Sequence, residues 1–125
     1  MSALALQTAI YTALQASSYN VYDEVPVNAE APYIVIGDDT LINDNADDFE
    51  GFDATVTIHT WSEYRGRAEI KTMQDAIYTL LNHTDMTVVG YNLINIYQEF
   101  SESMLDPDGI TRHGVQRFRV LFNES

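Results

Sequence analysis

The sequence predicts an α+β domain, in which a mainly antiparallel β-sheet carries two amphipathic helices packed on one face. Two segments place apolar residues at helical spacing, one near the start of the chain and one in its middle. Segments with the alternation typical of strands lie on both sides of the second helix. The turn at residues 106–109 (DPDG) joins the last two of these segments, so an antiparallel hairpin is expected there.

The first helix is predicted over residues 2–16, where Leu6, Ile10 and Leu14 fall on one side. A short extension follows at residues 21–22. Turn-prone Val-Pro and Ala-Pro pairs then lead to the first predicted strand, residues 33–37, whose sequence YIVIG is compact and rich in β-formers. The helix and this strand are both expected to contribute to the core.

Residues 38–50 (DDTLINDNADDFE) are acidic, rich in Asn and without periodicity. They predict a long loop or an extended hairpin arm outside the core, and loops of this length in small domains are usually functional. The clearest strand follows at residues 52–62, where Phe52, Ala54, Val56 and Ile58 alternate with polar residues.

A second helix is predicted over residues 66–83, with a stripe formed by Ile70, Met73, Ile77, Leu80 and Leu81. Strands are predicted at residues 92–104 and 115–122. In the former, Ile94, Ile96 and Phe100 are assigned to one face and Leu93 and Tyr97 to the other. In the latter, Phe118, Val120 and Phe122 lie opposite Arg117 and Arg119.

The length of 125 residues predicts a single domain, residues 1–125, because a second core would have no room. The chain has no Cys, which excludes disulfides, thiolate zinc sites and cysteine nucleophiles. No apolar run approaches the roughly 20 residues of a membrane span. The first residues lack the basic segment of a secretory signal, so a cytosol-like compartment and no membrane partner are expected.

The charge is the most unusual feature of the composition, with 19 acidic against 6 basic residues and a formal net charge of −13. All 6 bases lie at or after Arg65, whereas 11 of the acids precede it. Such a chain repels nucleic acid. Either the acids serve solubility alone, or an acidic surface meets a basic neighbour or lines a channel that DNA passes without binding.

The motifs of catalysis and of cofactor binding are missing from the sequence. His59, His83 and His113 have no second His at ligand spacing on the same element. The acidic stretch lacks the central Gly and the last Glu of a calcium loop, the glycines form no phosphate cradle, and no serine lies in a nucleophile elbow. We therefore expect no enzyme, no metal and no cofactor, with a hydrolase as the least favoured class.

Four motifs in a fixed order carry a family resemblance: VP at 25–26, APYIVIG at 31–37, VTIHTWS at 56–62, and a Gly66-led helix with Ile70, Ile77, Leu80 and Leu81. The chain resembles the small tail-completion proteins of siphophages, the tail-to-head joining or tail terminator family. That resemblance implies a virion structural protein without catalytic residues, assembled in the host cytoplasm. It further implies a hexameric ring that caps the tail tube, joins the head-completion or connector protein at the head–tail interface, and leaves a lumen for DNA.

Contacts with neighbouring subunits are expected at charged residues of the arm and of the last strand. The candidates are Asp38, Asp39, Asp44, Asp47, Asp48 and Glu50 in the arm, and Arg112, Arg117 and Arg119 in the strand. For the arginines, a solvated strand face is an equally good interpretation. A small acidic adaptor or inhibitor, which would cover a basic surface of another protein, is the alternative function.

Overall fold

The computed structural model describes residues 2–45 and 50–124. Its elements are α1 Ser2–Leu14 with a 3-10 turn at Gln15–Ser17, β1 Asn20–Tyr22, β2 Tyr33–Asn43, β3 Gly51–Ser62, α2 Ala68–Leu81, β4 Tyr91–Leu105 and β5 Arg112–Glu124. The strands form one sheet in the order β1-β2-β3-β5-β4, in which β1 pairs with β2 in parallel and the other three pairs are antiparallel. The predicted α+β class is confirmed.

Both helices bury their apolar sides against the same face of the sheet. Ile10 and Leu14 of α1 and Ile77 of α2 join Ile58 and Phe118 of the sheet in one core cluster, all of them fully buried. Burying each such side chain contributes about 1.5–3 kcal/mol, so this cluster dominates the stability of the domain. Within residues 2–45 and 50–124, neither helix has the length and hydropathy that crossing a membrane requires.

Strand β2 is longer than the sequence predicts. The sequence predicts that the strand ends at Gly37, because the following Asp and Asn residues disfavour strands. In the structure β2 continues to Asn43, since β3 offers a partner at each position from Asp39, opposite Val56, onward. A register shift just before Asp39 allows this pairing. Residues 38–43 are therefore the outer half of a β-hairpin, and residues 46–49 lie outside the described residues.

The predicted faces of β4 are wrong in part, because two bulges interrupt the strand. The register shifts between Leu93 and Asn95 and again between Gln98 and Phe100. Each extra residue reverses the alternation of the side chains that follow. Ile96 is fully buried and Leu93 packs against the core, whereas Ile94 and Phe100 are 61% and 41% exposed.

The end of α2 covers part of the outer edge of β4. The backbone N–H of His83 donates to the carbonyl oxygen of Ile96 at 2.6 Å. The side-chain oxygen of Asn82 accepts a hydrogen bond from the backbone N–H of Gln98 at 2.8 Å. These bonds satisfy backbone groups that an edge strand would otherwise present to another chain.

Candidate interaction surfaces

The face of the sheet opposite the helices, here called the outer face, carries the polar half of the alternation in β3 and β5. Asp53, Thr57 and His59 of β3 are only partly buried, while their apolar neighbours in the strand lie in the core. Arg117 and Arg119 of β5 lie on the same outer face, opposite Thr57 and Thr55 in the register. The outer face is thus a charged and aromatic surface and not a second core.

Arg119 forms an ion pair with Asp53 on the outer face through two hydrogen bonds. Its Nε donates to Oδ1 of Asp53 at 2.9 Å, its second terminal nitrogen donates to the other carboxylate oxygen, and its Nη1 donates to the hydroxyl of Tyr97 at 3.2 Å. The hydrogen bonds from Arg119 hold the pKa of Asp53 below its ordinary value, and the same pair raises the pKa of Arg119.

Arg117 is also paired within the chain. Its Nε donates to Oε2 of Glu99 at 2.9 Å, and its guanidinium lies 5.3 Å from the centre of the Phe100 ring. The side chains of Arg117 and Arg119 remain 47% and 41% exposed. Both arginines therefore have partners of their own and are still accessible, and their contact with a neighbouring subunit stays a prediction.

Arg112 lies at the opposite end of the sheet from the acidic hairpin. Its backbone pairs with Ser62 and Leu105, and its side chain lines a shallow depression shared with Arg65 and Ile110. Within residues 2–45 and 50–124, the ion pairs involve Arg117 and Arg119, so Arg112 has no carboxylate partner there. Its role at an interface also stays a prediction.

The β2–β3 hairpin gathers the acidic residues that the sequence singled out. Four of these acids are exposed: Asp38 and Asp39 on β2, and Asp44 and Glu50 beyond the paired segment. Asp47 and Asp48 lie outside the described residues. The hairpin thus presents a negative surface at one corner of the sheet, and its contact with a partner remains a prediction.

The sheet brings together two histidines that the sequence keeps 54 positions apart. His59 Nδ1 lies 2.8 Å from His113 Nε2, so one ring donates to the other. Trp61 stacks on His113 with ring centres 3.8 Å apart and planes 7° from parallel. Sequence reasoning missed this cluster because it depends on the β3–β5 register, in which Trp61 lies opposite His113. Among the described residues, no three His, Asp or Glu side chains form a metal-binding group.

The histidine pair makes stability depend on pH. Burial lowers the pKa of His59 despite the nearby Asp38, and burial together with His59 lowers the pKa of His113 despite Asp106 and Glu102. Below the ordinary value of 6.5 the unfolded chain therefore binds more protons than the folded one. Stability from this pair is fully present above pH 6.5 and is lost as pH falls toward the lowered values.

We expect the double variant His59→Gln/His113→Gln to flatten the decline in unfolding free energy between about pH 7 and pH 5. Each proton that the unfolded chain binds and the folded chain does not adds a slope of up to about 1.4 kcal/mol per pH unit to the unfolding free energy. Urea unfolding at a series of pH values measures this slope. Thr57→Ser, on the same face and without a titratable group, is the control. An unchanged slope in the double variant would contradict the expectation.

The described residues form an α+β fold whose outer face carries charged and aromatic side chains. The chain belongs to the family described as Tail completion protein gp17, whose pattern its residues 1–123 match. The Tail completion protein gp17 of Bacillus phage SPP1 is 24% identical over 94 residues, which cover 75% of this chain and 69% of that protein.

A solved structure confirms the fold over nearly the whole chain. A chain in the virion of a native gene transfer agent particle superposes with a TM-score of 0.88 and 22% identity, covering 98% of this chain and 97% of that one. The resemblance to phage tail-completion proteins is confirmed by the family match. The family match supports a structural role in a phage tail.

Proposed function

We propose that the chain forms a hexameric ring that caps the phage tail tube and joins it to the head-completion or connector protein. The observation that carries this proposal is the family match over residues 1–123. A tail completion protein must contact at least the end of a tail, and a ring closes such an end with copies of one interface. The partners are further copies of the chain, the tail tube protein and the connector.

The charge of the chain supports a lumen that DNA passes without binding. Proteins hold DNA mainly by placing Lys and Arg against phosphates and releasing counterions. This chain has a net charge of −13, and two of its six bases are already neutralised by Asp53 and Glu99. A ring of such chains would repel phosphates and leave the DNA free to move.

The role is structural, with no reaction and no cofactor, and its place is the virion at the head–tail interface after assembly in the host cytoplasm. The ion pairs of Arg119 with Asp53 and of Arg117 with Glu99 lie on the accessible outer face, which suits a protein that acts by binding. The small acidic adaptor remains the competing function, and it differs by requiring a stable monomer with one basic partner.

Negative-stain electron microscopy and mass determination test the proposal. The purified chain is imaged alone and after mixing with tail tubes from particles that lack it. We expect rings with a central hole, or caps at one end of each tube, and we expect capped tubes to join purified heads. Bovine serum albumin at equal concentration controls for nonspecific decoration. A monomer that leaves tube ends bare and heads unjoined would instead favour the adaptor.

A further inference from the structure

The two edges of the sheet differ in how many of their backbone N–H and C=O groups already have a hydrogen-bond partner. At the β4 edge, His83 donates to Ile96, Asn82 accepts from Gln98, and Nε2 of Gln74 donates to the carbonyl oxygen of Glu102 at 2.9 Å. All three bonds come from α2 or the residues that directly follow it. The middle of this long edge is therefore closed to an added strand.

The β2 edge is open over its outer half. β1 pairs with β2 from Tyr33 to Val35 and extends no further. Within the described part of the chain, residues 39–43 pair with β3 alone, and Asp38 lies in the register shift just before them. All six residues of 38–43 are exposed. Ile42, on this segment, is 64% exposed. This segment, residues 38–43, is here called the open edge.

The register shows which backbone groups the open edge presents. Asp44 N–H donates to the carbonyl oxygen of Gly51 at 2.7 Å, which makes Asp44 and Gly51 a hydrogen-bonded pair in the register of the hairpin. In an antiparallel ladder such pairs alternate with pairs whose N–H and C=O groups point outward. Ile42 thus bonds toward β3, while Leu41 and Asn43 direct their N–H and C=O groups away from it. An added strand would find donors and acceptors at the regular spacing.

The charge around the open edge determines which strand fits. Asp38 and Asp39 lie on the edge and Asp44 directly follows it, so opposite charges on the incoming strand are favoured. A second copy has no suitable strand among its described residues. The basic residues of β5 lie between β3 and β4, and β4 itself contributes Glu99 and Glu102.

We propose that the open edge accepts, by β-strand addition, an extended segment of a different virion protein that carries Lys or Arg. The inference rests on the proposed virion role and adds to it the surface and the chemistry of one partner. Main-chain hydrogen bonds give such a contact its affinity, and the charges select the partner.

Hydrogen exchange of the backbone amides tests the proposal directly. A peptide spanning residues 37–45 is followed by mass spectrometry in the purified full chain and in intact virions that contain it. We expect its slowest-exchanging outward amides to exchange at least about tenfold more slowly in the virion, since strand addition buries and bonds them. The peptide from β5 is the internal reference, because its amides are already paired on both sides.

Leu41→Pro tests the same contact by mutation, with Leu41→Val as the matched control. Proline removes one outward N–H of the open edge and leaves the bonds to β3, which proline tolerates at such a position. Both variants are compared for thermal unfolding and then for incorporation into virions. We expect Leu41→Pro, unlike Leu41→Val, to reduce incorporation into virions at least tenfold. The double variant Asp38→Asn/Asp39→Asn should also reduce incorporation.

The outcomes separate this inference from the proposed function. Virions that contain the chain with fast exchange at residues 37–45, or folded Leu41→Pro that is incorporated like Leu41→Val, would overturn the open edge as a docking surface while the virion role stands. Protection already present in the purified chain would make a second copy the occupant and overturn the assigned partner. Absence of the chain from virions would overturn both proposals.

Discussion

Replacing Phe118 by alanine is expected to lower the free energy of unfolding by about 3–5 kcal/mol, the usual cost of removing a buried aromatic side chain. Phe118 is fully buried, lies on the interior strand β5 and belongs to the cluster that both helices cover. Its neighbours in the register, Val56 and Gln98, are fixed by the sheet, so the cavity can collapse only in part. Urea unfolding followed by circular dichroism measures the change.

Phe100→Ala provides the matched control, because it removes the same side chain from the outer face of the same strand pair. Phe100 is 41% exposed and contacts the guanidinium of Arg117. Its loss is expected to cost about 1 kcal/mol or less, the value of an exposed cation–π contact. If the two variants lost equal stability, the assignment of the two faces of the sheet would be wrong.

Gly114→Ala is expected to destabilise the domain by about 1–3 kcal/mol, because the added methyl group has no space. A Cβ at Gly114 would overlap with Oγ1 of Thr60 and lie 2.7 Å from Nε2 of Gln74. Thr60 is fully buried, and the Gln74 amide is held by its bond to Glu102, so neither group can move away without loss. Thermal unfolding of the variant and the parent measures the effect.

Thr60→Ala tests whether this contact causes the loss. It removes the nearest atom to the new methyl group, so the double variant Gly114→Ala/Thr60→Ala should be more stable than the sum of the single changes predicts. A coupling energy of about 0.5–3 kcal/mol is usual for residues in contact. If the stability changes of the two single variants simply added, the contact with Thr60 would not be the cause of the stability lost in Gly114→Ala.

The sequence predicted the elements whose pattern is set by burial on one side. The stripes of α1 and α2 and the alternation of β3 and β5 follow directly from the single core face, and the structure has all four. The sequence predicts only a short extension at residues 21–22, where the structure has β1. Three residues carry too little periodicity to identify a strand, and β1 forms because β2 offers a parallel partner.

The other differences between the predicted strands and the structure arise where pairing between strands decides the conformation. The bulges of β4 leave Ile94 exposed and place Phe100 on the outer face beside Arg117, and no local signal marks an inserted residue. The extension of β2 through Asp39 to Asn43 likewise depends on β3, which overrides the weak strand propensity of the acids.

The charged residues of the candidate surfaces could be predicted from the sequence, but the side chains that they contact could not. The acidic hairpin follows from the run of Asp residues, and Arg117 and Arg119 follow from the alternation of β5. Their partners, Glu99 and Asp53, lie 18 and 66 positions away and are brought near by the register. The contact between His59 and His113 has the same origin, which is why sequence spacing alone treated these residues as isolated.

The interior position of β5, the last strand of the chain, affects folding during synthesis on the ribosome. Residues up to 111 are translated before the strand that separates β3 from β4, so the sheet has a gap until Arg112–Glu124 emerges. Pairs such as Gly51 with Asn123 join distant parts of the chain, and such contacts form slowly. A nascent chain stalled before this strand would expose the apolar face of β1, β2 and β3 and would leave β4 unpaired, so chaperone binding should be strongest at that length.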